Sequence, residues 1–312
     1  MKKDNIAFVF PGQGAQYVGM LKEFYSISEY KNYFDNANKK LGYDLKTIMF
    51  EGPMDELKKT HNTQPAILLH SLLAYKYFQK KCDINPRYVA GHSLGEFSAL
   101  VVADVLDWED ALFLVHKRGK FMIEASKGIP FKMAAVIGLN KDLIVEICNN
   151  ISGTVIAANF NTPIQTVISG EAEAVSEAIE KCKNAGAKRV VELVVGGAFH
   201  SPLIEKSAEW LKAEMEKINF RNAQISIISN FKAKPEIEPK EIVENLTQQI
   251  ISPVRWVETV EFMINNGVDT FIEFGPGKIV SRMIKAIDRN TKRYNIDKID
   301  GVEKILNEIR DK

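Results

Sequence analysis

The residues best suited to chemistry begin with Gly91-His92-Ser93-Leu94-Gly95. Tyr88-Val89-Ala90 before it reads as a strand, and the stretch after it, through Phe97, Leu100, Val101 and Val105, reads as a helix. Gly-x-Ser-x-Gly between a strand and a helix is the pattern of a nucleophile elbow. The turn lifts the serine hydroxyl clear of the sheet, and small neighbours relieve crowding where the chain reverses. The next amide, that of Leu94, then faces the reacting carbonyl oxygen, with the positive end of the helix dipole behind it. Five residues alone are a weak pattern because Gly and Ser are common; the flanking strand and helix give it weight. The expected chemistry is acyl transfer through an acyl-Ser93.

A serine hydroxyl is a weak nucleophile and needs a base within hydrogen-bond reach. His92 adjoins the serine on a sharp turn, where neighbouring side chains diverge, so it is expected to shape the pocket instead. His61, His70 and His116 lie in polar or helical contexts that suit structural or solvent-facing roles. His200 lies in the loop Gly196-Gly197-Ala198-Phe199-His200-Ser201-Pro202, which makes it the candidate base; capping the helix that begins at Pro202 is the competing role.

Gln13, in Pro11-Gly12-Gln13-Gly14, follows the first strand, and its amide is a candidate second oxyanion donor. A nucleotide loop is the alternative there, but Gly-x-Gly-x-x-Gly fails at Tyr17 and no Walker pattern occurs. Arg118 is the most informative charge. It falls within the apolar stripe marked by Leu114, Val115, Phe121 and Met122, so it must be paired. The ordinary partner is a structural carboxylate; the functional one is a substrate carboxylate held by the guanidinium fork.

The elements that must position these residues alternate. Ile6–Phe10 is a short apolar run ended by Pro-Gly, as in a strand buried on both faces. Residues 64–81 read as a helix with Pro65 in its first turn, and Asp107 is expected to cap a helix running to about Ala125. Residues 132–195 read as β-α-β-β-α-β, a ferredoxin-like split unit. An inserted lobe is therefore placed at 127–195, within a larger domain made of 1–126 and 196–312. After the insert come helices at 202–218, 239–250, 255–266 and 278–289, with strands at 224–229 and 269–274. Strands alternating with helices imply a mostly parallel sheet covered on both faces, with ligands beyond the strands' carboxyl ends. Both glycine-rich turns fall there.

The 312 residues are 46% hydrophobic and 26% charged with net charge +1, an ordinary soluble globular composition without a global field for nucleic acid or membrane. Cys82, Cys148 and Cys182 are odd in number and widely spaced, which suggests neither a disulfide framework nor a zinc site and fits a reducing, cytoplasmic setting. The apolar run after Met1-Lys2-Lys3 is too short for a signal peptide core, and no stretch is long enough to span a membrane.

The motifs together resemble the malonyl-CoA:acyl carrier protein transacylases. The resemblance rests on Phe8-Val9-Phe10-Pro11-Gly12-Gln13-Gly14, Thr63-Gln64-Pro65-Ala66, Gly91 through Glu96, Arg118-Gly119-Lys120 and Asn159-Phe160-Asn161. It continues through Gly197-Ala198-Phe199-His200-Ser201, Gln249 to Trp256, and Glu273 to Lys278. It implies an α/β-hydrolase-like catalytic domain with a ferredoxin-like insert. It implies a malonyl group carried by Ser93, His200 as base, oxyanion amides from Gln13 and Leu94, and Arg118 on the malonyl carboxylate. Gln249 would orient His200 through its backbone carbonyl, in place of a triad acid. Phe199 beside the histidine goes with malonyl rather than methylmalonyl in related polyketide enzymes. Gly196 stands where serine is frequent, and Ile129-Pro130-Phe131 replaces a run of small residues.

The implied reaction needs malonyl-CoA as donor and a phosphopantetheine thiol on acyl carrier protein as acceptor, with no metal or redox cofactor. A serine hydrolase is the first alternative, but it would usually add an acidic triad member and a His-Gly-Gly-Gly segment, which is absent. A non-catalytic carrier-docking module is the second, and the joint presence of Ser93, His200, Gln13 and Arg118 argues against it. Lys181, Lys183, Lys188 and Arg189 form a candidate basic patch for an acidic carrier; an ordinary solvated face is the competing reading.

Overall fold

A computed structural model describes residues 5–310, with side chains described through 308; residues 1–4 and 311–312, the extreme ends of the expected larger domain, lie outside them. Among the described residues the strands run, in chain order, β1 (Ile6–Phe10), β2 (Tyr88–Gly91), β3 (Phe131–Ile137), β4 (Val155–Thr162), β5 (Gln165–Glu171), β6 (Arg189–Glu192), β7 (Ser226–Ile228), β8 (Pro235–Glu236), β9 (Thr270–Phe274) and β10 (Lys292–Ile296).

They form two sheets. The larger has the order β10-β9-β1-β2-β7-β8 and is parallel except where β8 pairs with β7. Alternate residues of β1 feed opposite faces. Ile6, Phe8 and Phe10 join one core with the Thr60–Lys81 and Gly95–Val102 helices. Ala7 and Val9 join another with the Trp256–Asn265 and Ile279–Ile287 helices. Burial on both sides explains why β1 is apolar without alternation. Phe8 anchors the first core, with its ring 4.8 Å from Phe274 and 5.8 Å from Phe78 in edge-on contacts. The chain works outward on one side of β1 through β2, β7 and β8, then returns to its other side with β9. The connections leaving β9 and β1 run in opposite directions, so the switch point lies between those strands, and the turns after β1 and β2 stand beside it at the carboxyl edge where such sheets bind ligands.

The smaller sheet is antiparallel with order β4-β5-β3-β6, the arrangement of a split β-α-β-β-α-β unit. Its own core includes Val136, Ile144, Ile168, Val175 and Cys182. The chain leaves the larger sheet's helices near Ser126 and returns at Ala198, whose amide donates to the Ser126 hydroxyl at 3.3 Å. A second seam joins the sheets: Phe160 donates to the Val254 carbonyl at 2.9 Å, and Val254 donates to that of Ala158 at 2.9 Å.

Several local expectations are corrected. The helix expected from Gln64 begins at Thr60, so Pro65 lies inside it. Proline there leaves the His61 carbonyl without its helical donor. His116 Nδ1, at 2.9 Å, and the Tyr43 hydroxyl, at 3.3 Å, serve that carbonyl instead. Asp107 precedes the Trp108–Ala125 helix but makes no side-chain cap; its carboxylate faces Arg221 at 3.1 Å. The expected helix at 202–218 divides into a 3-10 turn at Pro202–Ile204 and an α-helix at Glu205–Met215. No helix among the described residues is long and apolar enough to cross a membrane.

Candidate active site

Two missing Cβ atoms set the elbow. A Cβ on Gly91 would lie 1.9 Å from the Gly95 carbonyl carbon, and one on Gly95 would lie 2.4 Å from the Phe10 carbonyl oxygen. The chain can therefore reverse tightly at Ser93 and press its helix against the end of β1. Ser93 itself has φ 53°, a left-handed conformation that costs a non-glycine residue about 1–3 kcal/mol. Asn230 holds the turn. Its Oδ1 accepts from the Ser93 amide at 2.7 Å, and its Nδ2 donates to the Gly91 carbonyl at 2.6 Å.

With the Ser93 amide taken, the oxyanion candidates are the amides of Leu94 and Gln13. Neither donates to a protein acceptor among the described residues. Leu94 packs with Ala15, Ile67 and Ile279, which ties the elbow to the turn after β1. The Gln13 side chain is exposed.

Ser93 Oγ lies 2.8 Å from His200 Nε2, and His200 Nδ1 lies 2.8 Å from the Gln249 carbonyl. A carbonyl only accepts, so Nδ1 carries the proton and Nε2 is free to take one from the serine. His200 also has positive φ, at 57°. Burial, aided by the Arg118 charge, pushes its pKa down to about 3 against the smaller opposing pull of the Gln249 carbonyl. The imidazole is thus neutral throughout the physiological range.

Arg118 is 1% exposed. One terminal nitrogen donates to Gln64 Oε1 at 2.9 Å; the other donates to Ser93 Oγ and to Gln249 Oε1, both at 2.9 Å. Burial lowers its pKa to about 10, so it remains charged. None of its hydrogen bonds reaches a carboxylate, so the expected choice between a structural acid and a reserved fork is answered by amides. A cavity of about 130 Å³ is lined by Ser93, Arg118, His200, Gln64, Phe199 and the insert residues Met133 and Asn159. His92 also borders it, its Nε2 2.8 Å from Asn161 Oδ1 and its ring against Trp256. The cavity thus lies between the two sheets.

All eight expected site residues converge here. Gln64, Glu96 and Asn230 were not assigned roles from sequence. Glu96 carried the same signal as Arg118, a charge amid Phe97, Ala99 and Leu100, whereas Gln64 and Asn230 are unremarkable amides. The basic patch is only partly free of counter-charge. Lys181 pairs with Glu177 and Lys183 with Glu180, each at 2.7 Å, while Lys188 and Arg189 are in no ion pair among the described residues. Groups of three or more His, Cys, Asp or Glu placed to hold a metal do not occur among the described residues.

The acyl transferase domain family matches residues 7–299. Malonyl CoA-acyl carrier protein transacylase of Bacillus subtilis is 40% identical over 310 residues, covering 98% of this chain and 98% of that protein. Among solved structures, the malonyl-CoA:acyl carrier protein transacylase of Xanthomonas oryzae superposes with a TM-score of 0.94 at 34% identity, over 99% of both chains. A malonyl-transacylase in complex with its type II PKS acyl-carrier protein also gives 0.94, at 38% identity, over 97% of this chain and 99% of that one.

The buried imidazole makes a pH prediction. A base is lost as pH falls through its folded pKa, and here that value is about 3 rather than the ordinary 6.5. Labelling of Ser93 by a sulfonyl fluoride should therefore keep its rate well below pH 6. Arg118→Gln removes the larger of the two charge effects that depress the His200 pKa and should move the acid limb upward. A wild-type limb near pH 6.5 would show that His200 is not held in this state.

Proposed function

This chain belongs to the acyl transferase family, among the malonyl CoA-acyl carrier protein transacylases, and on that footing we propose that it moves malonyl from malonyl-CoA to the phosphopantetheine thiol of acyl carrier protein through malonyl-Ser93. The observation that carries the reading is Ser93 Oγ held between His200 Nε2 and the Arg118 guanidinium, at 2.8 and 2.9 Å.

Ser93 attacks the thioester carbonyl while His200 Nε2 takes its proton. The tetrahedral oxyanion is stabilised by the amides of Leu94 and Gln13, each such donor worth about a hundredfold or more in rate. The intermediate collapses, His200 returns the proton to the departing CoA sulfur, and malonyl-Ser93 remains. The carrier's thiol then loses its proton to His200 and attacks the ester, and His200 returns that proton to Ser93 Oγ as the bond breaks. Each step exchanges one acyl acceptor for another, so the reading includes no metal or redox cofactor. Arg118 holds the malonyl carboxylate, and Phe199 and His92 bound the acyl pocket. The place of action is the cytoplasm, a reading supported by three unpaired cysteines.

Intact-mass spectrometry after incubation with malonyl-CoA should show one malonyl adduct on the parent and none on Ser93→Ala; an adduct persisting on that variant would refute the serine's role. Arg118→Ala leaves the malonyl carboxylate buried without a partner, so malonyl transfer should fall about a hundredfold or more while acetyl transfer changes far less. Equal losses for both donors would remove Arg118 from selectivity. For the carrier, Lys188→Glu with Arg189→Glu should raise the KM for acyl carrier protein without slowing adduct formation, and an unchanged KM would exclude that patch.

A further inference from the structure

Gln249 and Asn230 hold the elbow from two sides, and both are anchored on one side chain. Glu96 is fully buried in the first turn of the helix after Ser93. Its Oε2 accepts from Gln249 Nε2 at 2.9 Å and from the Asn230 amide at 3.0 Å. The same Gln249 Nε2 donates to the Ser93 carbonyl at 3.0 Å, and the Gln249 Oε1 accepts from Arg118. Glu96 is in no direct hydrogen bond with Ser93 Oγ, His200 or Arg118, yet it is one bond from the residues that fix each of them.

We infer that Glu96 is a positioning residue for malonyl transfer: through Gln249 and Asn230 its carboxylate sets the elbow and the direction of the Arg118 fork, while standing one amide away from the guanidinium it balances. This rests on the malonyl-transfer reading above.

The distance of one amide is the point. A carboxylate bonded directly to Arg118 would occupy the fork and repel an anionic acyl group. A buried arginine with no anion nearby would be expensive to hold. Glu96 meets both constraints, because the Gln249 amide accepts from the arginine at one end and donates to the glutamate at the other.

Burial pushes the Glu96 carboxyl up to about 7, and its two N–H donors and Arg118 pull against that rise. A second buried acid, Glu236 on β8, lies close enough to interact with it. Burial raises both carboxyls, and the Glu96 charge raises that of Glu236 further. Glu96 has Arg118 and two N–H donors to favour its charge. Glu236 faces Asn245, with Glu241 opposing and Lys232 favouring its ionisation, and is raised further. Of the two acids, Glu236 is the more disposed to hold a proton. Asn245 and Gln249 are one turn apart on the Pro239–Gln249 helix, so a single helix carries the amide partners of both acids.

The test is single-turnover acylation of Ser93 by malonyl-CoA and by acetyl-CoA, with melting temperatures recorded. Glu96→Ala leaves Gln249 free to turn, so malonylation should fall about a hundredfold, the scale of a misplacement near 1 Å, and more than acetylation does. Glu96→Gln can still accept both bonds and should recover at least about tenfold of that loss with selectivity retained. In a Gln249→Ala background, Glu96→Ala should cost much less than alone, since coupled residues are not additive. Equal losses for both donors, no recovery in Glu96→Gln, or full additivity with Gln249→Ala would overturn the inference; if Glu96→Ala does not fold, the Glu96→Gln and Gln249→Ala selectivities decide it. A parent enzyme that forms no malonyl-Ser93 would instead defeat the functional reading on which it rests.

Discussion

The structure around the site depends on keeping Arg118 charged in a place that water barely reaches. A buried guanidinium needs compensation, yet a direct carboxylate partner would consume the hydrogen bonds that the proposed malonyl carboxylate requires. The protein answers with neutral acceptors, Gln64, Gln249 and the serine hydroxyl, each at 2.9 Å. That choice propagates. Gln64 must be buried on the Thr60–Lys81 helix, Gln249 must end the Pro239–Gln249 helix at the elbow, and an acid must stand behind Gln249 to offset the charge.

Two strained residues meet at the reacting bond. Ser93 and His200 both hold positive φ, each at a cost of about 1–3 kcal/mol. Such conformations persist only where their surroundings over-determine them. Asn230 clamps the serine turn by two hydrogen bonds, and the Gln249 carbonyl fixes the imidazole. At the lobe junction Ala198 is tied to Ser126 two residues before His200, and from the inserted lobe Met133 and Asn159 complete the cavity. Placing the histidine beside the lobe junction lets one loop carry both Phe199, which lines the cavity, and the imidazole bonded to Ser93.

Much of this was legible in the residues, and the exceptions have physical reasons. The Ser93 elbow was visible because only glycine fits at Gly91 and Gly95. Arg118 was visible because a charge on an apolar stripe requires an explanation. Glu96 offers the same signal amid apolar neighbours, but it adjoins the elbow motif, whose pattern does not distinguish a role for it. Gln249 acts on His200 through a backbone carbonyl, which every residue has, so its side chain type cannot reveal that role; only the resemblance pointed to it. β10, Lys-Arg-Tyr-Asn-Ile, escaped notice because an edge strand is half exposed and lacks the apolar run that marked β1. The two-residue β8 is too short to carry any period. Pro65 misled about where its helix begins, because the His116 and Tyr43 side chains replace the donor it lacks.

The use of a carbonyl rather than an acid behind His200 follows from the same electrostatic constraint. A carboxylate at Nδ1 would place a full negative charge close to where an anionic acyl group must sit, and it would partly neutralise Arg118. A carbonyl fixes the tautomer as well as an acid does, with only a dipole. The consequence is an imidazole of low basicity, since burial and Arg118 both act against its protonation. An acyl group bearing a carboxylate compensates Arg118 and removes the second of those causes. With His200 as the base of the proposed reaction, a charged acyl group makes it a better base, whereas a neutral acyl group leaves it weak. On the malonyl-transfer reading, selectivity then resides in the activation of Ser93 as well as in binding, and both trace to one arginine surrounded by amides.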